Sequence, residues 1–386
     1  MTLPASADAV IIGAGLVGAA TAARLAATGR RVCVIDRSGP LGGTTAAGEG
    51  NILLSDKAPG PELSLALRSL VLWRQFAGER GAEFEFEPKG GVVVARSPGQ
   101  LDALREMAAR QRAAGVEVTL LDPSGLHDAE PSLARQLAGG ARYPQDCQVQ
   151  PMAAAMAYLA AGGRLTVTRA EATGLDHDGP VMRLVTDRGR IAAPVVVNCT
   201  GPWGGQVAGR LGSALPVRPR RGHILVTEPL PPLIRHKVYE ADYVATVASD
   251  EEGTAYSAVV EGTASSTVLI GSSRDFSPAG RPEARVLAEL ARRAVALFPF
   301  LSRARIIRAY TGFRPACADH LPVIGPDALV PGLYHATGHE GAGIGLAPAT
   351  AELITALIDG TDPAVDPVPF APARFAADPD GGRRGR

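Results

Sequence analysis

The sequence predicts an α/β protein whose parallel sheet is assembled from separated stretches of chain, with a second, mainly β domain inserted between them. Three observations carry this. A strand–helix–strand unit is complete within the first 40 of 386 residues. Apolar runs of the buried parallel type recur at the start, middle and end of the chain. The stretches between them have the shorter periodicity of β structure.

Taken in order, Ala9-Val-Ile-Ile12 reads as the first buried strand, followed by a glycine turn and an Ala/Leu-rich helix over Leu16–Ala27 that Gly29 ends. Arg31-Val-Cys-Val-Ile35 is the second strand. Ser38 to Gly60 is glycine-rich and has no regular period, a length of irregular chain that usually serves function. Glu62–Arg80 has helical spacing, Phe84–Ala95 looks like strands, and Leu101–Ala114 is a polar helix. Leu165–Val197 alternates strands with turns and runs into Pro194-Val-Val-Val-Asn-Cys-Thr-Gly201. His223–Thr227, Thr254–Val260 and Thr267–Gly271 are β-like, and Arg281–Phe298 is helical. Leu333-Tyr-His-Ala-Thr337 is a late apolar strand, Gly338–Gly345 a glycine-rich turn, and Leu346–Ile358 a helix. The tail beyond Ala371 is rich in Pro, Gly and Arg and is expected to fray, with residues 373–386 disordered.

Composition narrows the function. With 46% hydrophobic and 20% charged residues, the chain has material for a large core. Lys+Arg and Asp+Glu are both 39, so no net field favours nucleic acid or an anionic membrane. The basic cluster Arg218-Pro-Arg-Arg-Gly-His223 lacks interleaved aromatics and reads as structural. The longest N-terminal apolar run, Ala9–Ala23, is 15 residues and is cut by Gly13, Gly15 and Gly18. A spanning helix needs about 20. No Lys or Arg precedes the run, so a signal peptide is not expected, and a cytoplasmic location is. Cys33, Cys147, Cys199 and Cys317 are far apart with no CxxC pair, and no metal site is expected.

Gly13-Ala-Gly-Leu-Val-Gly18 fits GxGxxG between a strand and a helix, the context that motif requires. Gly13 permits the turn, Gly15 lets backbone approach a pyrophosphate, and Gly18 allows close helix–strand packing. The helix N-terminus at Leu16 and Val17 then offers free N–H groups to the phosphates. Asp36, 18 residues beyond Gly18, is placed to accept from ribose hydroxyls and to repel a 2′-phosphate. A second glycine cluster, Leu41-Gly-Gly-Thr-Thr45, follows Asp36-Arg37, where a nicotinamide enzyme would proceed straight to its next helix. It favours FAD, which needs further backbone donors around its pyrophosphate and flavin.

Four blocks, Val10–Arg37, Leu41–Asn51, Val195–Trp203 and Gly312–Ile358, resemble in order the FAD-dependent amine oxidoreductases of the D-amino acid oxidase, glycine oxidase and sarcosine oxidase family. Gly43-Thr-Thr-Ala-Ala-Gly-Glu-Gly-Asn51 looks most like the β subunits of opine, hydroxyproline and cyanide-forming glycine dehydrogenases. The resemblance implies a Rossmann-like FAD-binding domain of residues 1–45, 145–215 and 318–372. The substrate domain would comprise residues 46–144 and 216–317, with the flavin at the junction.

It also implies roles. FAD, bound non-covalently, would be held by Gly13, Gly15, Leu16, Val17 and Gly18, by Asp36 and Arg37, and by Gly43, Thr44, Thr45, Gly50 and Asn51. The middle block would add Ala172, Thr200, Gly201 and Trp203, and the late block Gly338, Gly341, Ala342, Gly343 and Ile344. Arg314, in Gly312-Phe-Arg-Pro315, takes the position of the family's carboxylate-binding arginine, since a guanidinium matches a carboxylate with two parallel N–H donors. His223 and His339 are further catalytic candidates, and Glu49 or Asn51 is expected to line the pocket. Gly345 departs from sarcosine oxidase-like members, which carry a lysine there, so the helix end must stabilise reduced-flavin charge instead. Cys317 does not match the register of covalently flavinylated relatives.

The implied reaction is oxidation of the C–N bond of a small amino acid, imino acid or opine, with hydride passing from the α-carbon to flavin N5. The partners implied are a small carboxylate-bearing amine and additional subunits or an electron-accepting protein. Two readings share these residues: a flavin-carrying, non-catalytic subunit, and a 2-hydroxy acid dehydrogenase.

Overall fold

The computed structural model describes residues 3–178, 181–243 and 253–376. A six-stranded sheet runs in the order Val323–Pro326, Leu333–Thr337, Val196–Asn198, Ala9–Ile12, Val32–Asp36, Leu165–Arg169. All neighbours are parallel except the antiparallel edge strand Val323–Pro326. Ala9–Ile12 is buried on both faces, which explains its unbroken apolar run. The helix Leu16–Ala27 packs over this sheet against the helices Pro151–Ala161 and Gly343–Asp359. The last of these is flanked in turn by Pro61–Arg80, and its Glu352 pairs both with Arg68 of that helix and with Arg24 of Leu16–Ala27. With its preceding turn, Glu340–Asp359 is the one helix among the described residues long and apolar enough to cross a membrane; half of it is buried inside the protein.

The eight-stranded sheet runs Ile306–Cys317, Val217–Thr227, Val268–Arg274, Ala255–Gly262, Lys237–Glu240, Gly91–Ala95, Gly139–Tyr143, Thr119–Leu121. One face carries the helix Ala284–Leu297, whose Val286, Leu290, Ala294 and Leu297 recur at helical spacing and pack on Val238, Ala258, Val260 and Ile270. The other face turns toward the first sheet. An antiparallel meander, Ala172–Asp178, Val181–Thr186 and Gly189–Ala193, caps the remaining side of the six-stranded sheet.

Several expectations need correction. Only Gly91–Ala95 of the stretch Phe84–Ala95 is a strand. Gly81–Phe84 is a single tight helical turn, because Phe84 is withdrawn into an aromatic cluster with Trp73, Phe76 and Phe86. The helix Pro61–Arg80, assigned to residues 46–144, packs on the six-stranded layer: Leu63, Leu70 and Trp73 share a core with Ala19 and Leu353. Ala373 to Phe375 do not fray. Pro372–Phe375 forms a turn, and Arg374 binds Asp319 at 2.7 Å and the Leu321 carbonyl at 2.9 Å. The rest of the expected disordered tail, residues 377–386, lies outside the described residues. The C-terminal helix starts at Gly343, three residues before Leu346, so Gly343, Ile344 and Gly345 form its first turn.

Candidate active site

The glycine turn after the first strand is tight because nothing larger fits. Gly13 has φ +108°, and a Cβ there would stand 2.5 Å from the Cys199 carbonyl oxygen. A Cβ on Gly18 would stand 2.0 Å from the Gly13 oxygen. Asp36 accepts from Ala14 N at 2.9 Å and Ser38 N at 2.8 Å, which fixes its carboxylate at the end of the second strand. The second glycine segment is stitched onto the first, since Leu16 N donates to Thr45 Oγ1 at 2.9 Å. It is also tied to the far sheet, as Thr44 Oγ1 donates to the Phe313 carbonyl at 2.6 Å. Trp203 completes this end: the Arg37 guanidinium lies 4.3 Å from its ring centroid, and a Cβ on Gly43 would touch the ring at 3.3 Å.

At the other end, the strands Val217–Thr227 and Ile306–Cys317 pair Gly222 with Gly312 and Arg220 with Arg314. Arg314 Nη1 donates to the Ser273 carbonyl at 3.0 Å and would lie 2.3 Å from a Cβ on Gly222, so that glycine makes room for the guanidinium. Burial, reinforced by the positive Arg274, lowers the Arg314 pKa. Glu340 is held in the left-handed region at φ +46° and binds His320 Nδ1 at 3.0 Å and Arg220 Nη1 at 3.5 Å. The helix that begins at Gly343 aims its first turn between these ends.

The glycine turn, Asp36, Trp203, Arg314, Glu340 and the first turn of the last helix line one cleft. Gly13, Gly15, Leu16, Val17, Asp36, Arg37, Gly43, Thr44, Thr45, Asn51, Ala172, Thr200, Gly201, Trp203, Gly341, Gly343 and Ile344 line it, with Arg314 and His339. An extended dinucleotide fits this lining. Gly13 and Gly15 present bare backbone to the cleft, Asp36 stands at the end of the second strand, and a second helix begins on the same lining at Gly343.

Gly18, Gly50, Gly338 and Ala342 stand behind the lining. Gly18 and Gly50 serve close packing; a Cβ on Gly50 would meet the Val149 oxygen at 1.9 Å. His223 is not at the cleft. Alternation along its strand sends Gly222 and Ile224 inward and His223 to the opposite face, where Nδ1 meets Ser273 Oγ at 2.8 Å and Nε2 accepts from Glu283 N at 3.4 Å. His339 reaches Thr350 Oγ1 at 3.0 Å through Nε2, and burial pushes its pKa down to about 3, so the ring is neutral. Cys317 does not line the cleft either.

The sequence reading missed Tyr243, Glu340, Gly222 and Phe313, all on the lining. Gly222 and Phe313 sit beside singled-out residues, and strand alternation could have flagged Gly222 once Arg314 was placed. Tyr243 lies in a stretch with no motif, and no local signal marks it.

A family profile described as DAO, FAD dependent oxidoreductase, matches residues 8–357. The chain is 29% identical over 383 residues to glycine oxidase of Geobacillus kaustophilus, covering 95% of this chain and 97% of that one. It is 27% identical over 423 residues to hydrogen cyanide synthase subunit HcnC of Pseudomonas aeruginosa, covering 96% and 97%. The crystal structure of the Geobacillus glycine oxidase superposes with a TM-score of 0.87 at 27% identity, over 96% of this chain and all of that one. The fold is also that of L-proline dehydrogenase from P. horikoshii, with a TM-score of 0.88 at 23% identity over 97% and 98% of the two chains.

Proposed function

The chain belongs to the FAD-dependent oxidoreductases of the DAO family, and from that premise we propose that it oxidises the C–N bond of a small amino or imino acid, or of an opine, whose carboxylate is bound by Arg314. Oxidation of amino acids is the activity of its relatives; the substrate assignment rests on the site. The observation that carries it is the convergence, in one cleft, of the two glycine-lined segments with a guanidinium held by the Ser273 carbonyl.

The chemistry FAD supplies when bound is acceptance of a hydride from the carbon beside the nitrogen. The chain's own residues do the rest. Gly13–Val17, Asp36 and Trp203 would hold the cofactor on the side of the six-stranded layer, and the eight-stranded sheet would form the substrate wall. Arg314 fixes the carboxylate with a planar fork, which restricts the α-carbon to one position and converts binding energy into orientation. The opening turn Gly343–Gly345 presents backbone N–H groups and the positive helix end to charge that builds up during reduction. His339, kept neutral, ties the preceding turn to that helix through Thr350.

The test is the visible spectrum of the purified protein, followed by anaerobic reduction with glycine, sarcosine, D-amino acids, proline derivatives and opines. Bleaching by one amine class and not by the matching 2-hydroxy acids supports the reading. A loaded flavin that none of them reduces removes it. The similarity to a cyanide synthase subunit gives the alternative a concrete form: if reduction appears only after partner subunits are added, the chain is the flavin-carrying member of an assembly.

A further inference from the structure

Glu49 stands on the cleft wall, and no hydrogen bond among the described residues uses its Oε1. Its side chain is only 9% exposed. Oε2 is occupied: it accepts from Asn51 Nδ2 at 3.1 Å and faces Lys237 Nζ at 3.9 Å. Oε1 is buried without a partner, a costly state for a carboxylate oxygen unless a ligand fills it. Its position is enforced from below. A Cβ on Gly271 would lie 2.3 Å from Oε1, so the glycine leaves the space into which the carboxylate settles.

Arg314 stands along the same sheet face. Leu225 pairs with Ile270, which sets Ile224 opposite Gly271, with Gly222 two residues along. Gly271 and Gly222 are therefore diagonal neighbours on one sheet face, on the order of 8 Å apart. Glu49 Oε1 and Arg314 Nη1 each lie 2.3 Å from the Cβ point of one of these glycines. Hydrogen bonds of about 2.8 Å at both ends leave room for the span from a carboxylate oxygen to the nitrogen on the adjacent carbon.

We propose that Glu49 binds the substrate nitrogen, so that Glu49 and Arg314 together select a ligand carrying an N–H-bearing nitrogen on the carbon next to its carboxylate. This rests on the carboxylate role of Arg314. The charged and titratable groups facing Glu49 are Lys237, Glu261, Tyr310 and Arg314. Behind it Lys237 Nζ lies 3.6 Å from Glu261 and 3.9 Å from Glu49, so one cation is shared by the two carboxylates.

The experiment titrates flavin-loaded protein anaerobically with glycine and with glycolate, the same shape with a hydroxyl in place of the amine, and reads the dissociation constant from the flavin spectrum. In Glu49→Gln, charge is lost at constant volume, so glycine binding should weaken about tenfold or more while glycolate changes less than about twofold. Gly271→Ala, which displaces Oε1 and removes no charge, should reproduce the loss. Flavin content reports whether either variant has folded. Equal weakening of both ligands, or of neither, in both variants overturns the assignment and leaves the Arg314 role standing. A wild-type spectrum that responds to neither ligand overturns both together.

Discussion

Replacing Arg314 by alanine separates function from scaffolding. Among the described residues the guanidinium makes one hydrogen bond, to the Ser273 carbonyl, and its remaining exposure is to the cleft. Burial and the neighbouring Arg274 disfavour its charge. Removal should therefore change the stability of the substrate-free protein by no more than about 1 kcal/mol, the range of a side chain with little structural duty. A substrate carboxylate instead loses both arms of a charged fork in a partly desolvated site. Truncation of such a pair costs about 2–4 kcal/mol, or about 30- to 900-fold in kcat/KM at 1.36 kcal/mol per decade. Arg314→Lys restores a charge without the fork and should recover only part of the loss. The assay pairs rapid-mixing reduction of the bound flavin with denaturant unfolding and a count of flavin per chain. Unchanged reduction kinetics would refute the carboxylate role. A large stability loss with normal kinetics would make Arg314 a structural residue.

Other outcomes follow from the cleft. Gly18→Ala places a Cβ 2.0 Å from the Gly13 oxygen, so the helix must shift off the strand; purified protein should contain little flavin, and a fully yellow variant would contradict the fingerprint geometry. His339 titrates near 3 in the folded state against 6.5 in the unfolded chain. Its contribution to stability is thus present above about pH 6.5 and is lost as pH falls toward 3, with about 2 kcal/mol gone between pH 7 and pH 5. Denaturant unfolding of His339→Gln should show a pH dependence shallower by that amount; parallel curves would mean that the ring is charged or absent from the linkage.

Legibility in the sequence followed how local each determinant is. Strand Ala9–Ile12, helix Leu16–Ala27 and Asp36 lie on one short stretch of chain, and periodicity plus glycine placement specify them together. The parallel runs at Val196–Asn198 and Leu333–Thr337 were also readable from their apolar residues, although each holds a buried polar side chain, Asn198 and His335, that meets the other at 3.3 Å. What failed is what depends on a distant partner. Phe84 carries a strand-like residue type, yet its ring stacks on Phe76, from a helix with no pairing strand. His223 and Gly222 are adjacent in sequence, but only pairing with the strand of Arg314 decides which of them faces the cleft. Glu49 was visible as a candidate through its place in the glycine loop. That one of its two oxygens is taken and the other buried without a partner is a three-dimensional fact, set by Asn51, Lys237 and Gly271. At Gly345, noted for lacking a lysine, even a Cβ would lie 3.4 Å from the Asn51 oxygen and Ile52 Cα, so a side chain there would start against the backbone of that strand.

That first turn has a weakness that the fold repairs from outside. Pro348 lies inside the helix Gly343–Asp359 and has no N–H for the Ile344 carbonyl. Trp73, fully buried on the neighbouring helix, supplies the missing donor: its Nε1 reaches the Ile344 oxygen at 3.2 Å and the Gly345 oxygen at 3.1 Å. Ser69 Oγ adds a second bond to the Gly345 oxygen at 2.5 Å, so Gly345 survives the loss of Trp73 and Ile344 does not. Trp73→Phe should therefore orphan one buried carbonyl, at about 1–3 kcal/mol, and loosen the turn that lines the cleft. Pro348→Ala returns a backbone N–H at the position that needs it. Alone it should be close to neutral, since Trp73 already satisfies the carbonyl. In the Trp73→Phe background it should recover about 1 kcal/mol or more, measured by denaturant unfolding as a double-mutant cycle. If the two changes are additive, the indole nitrogen is not repairing the proline break, and Trp73 is there for its volume alone.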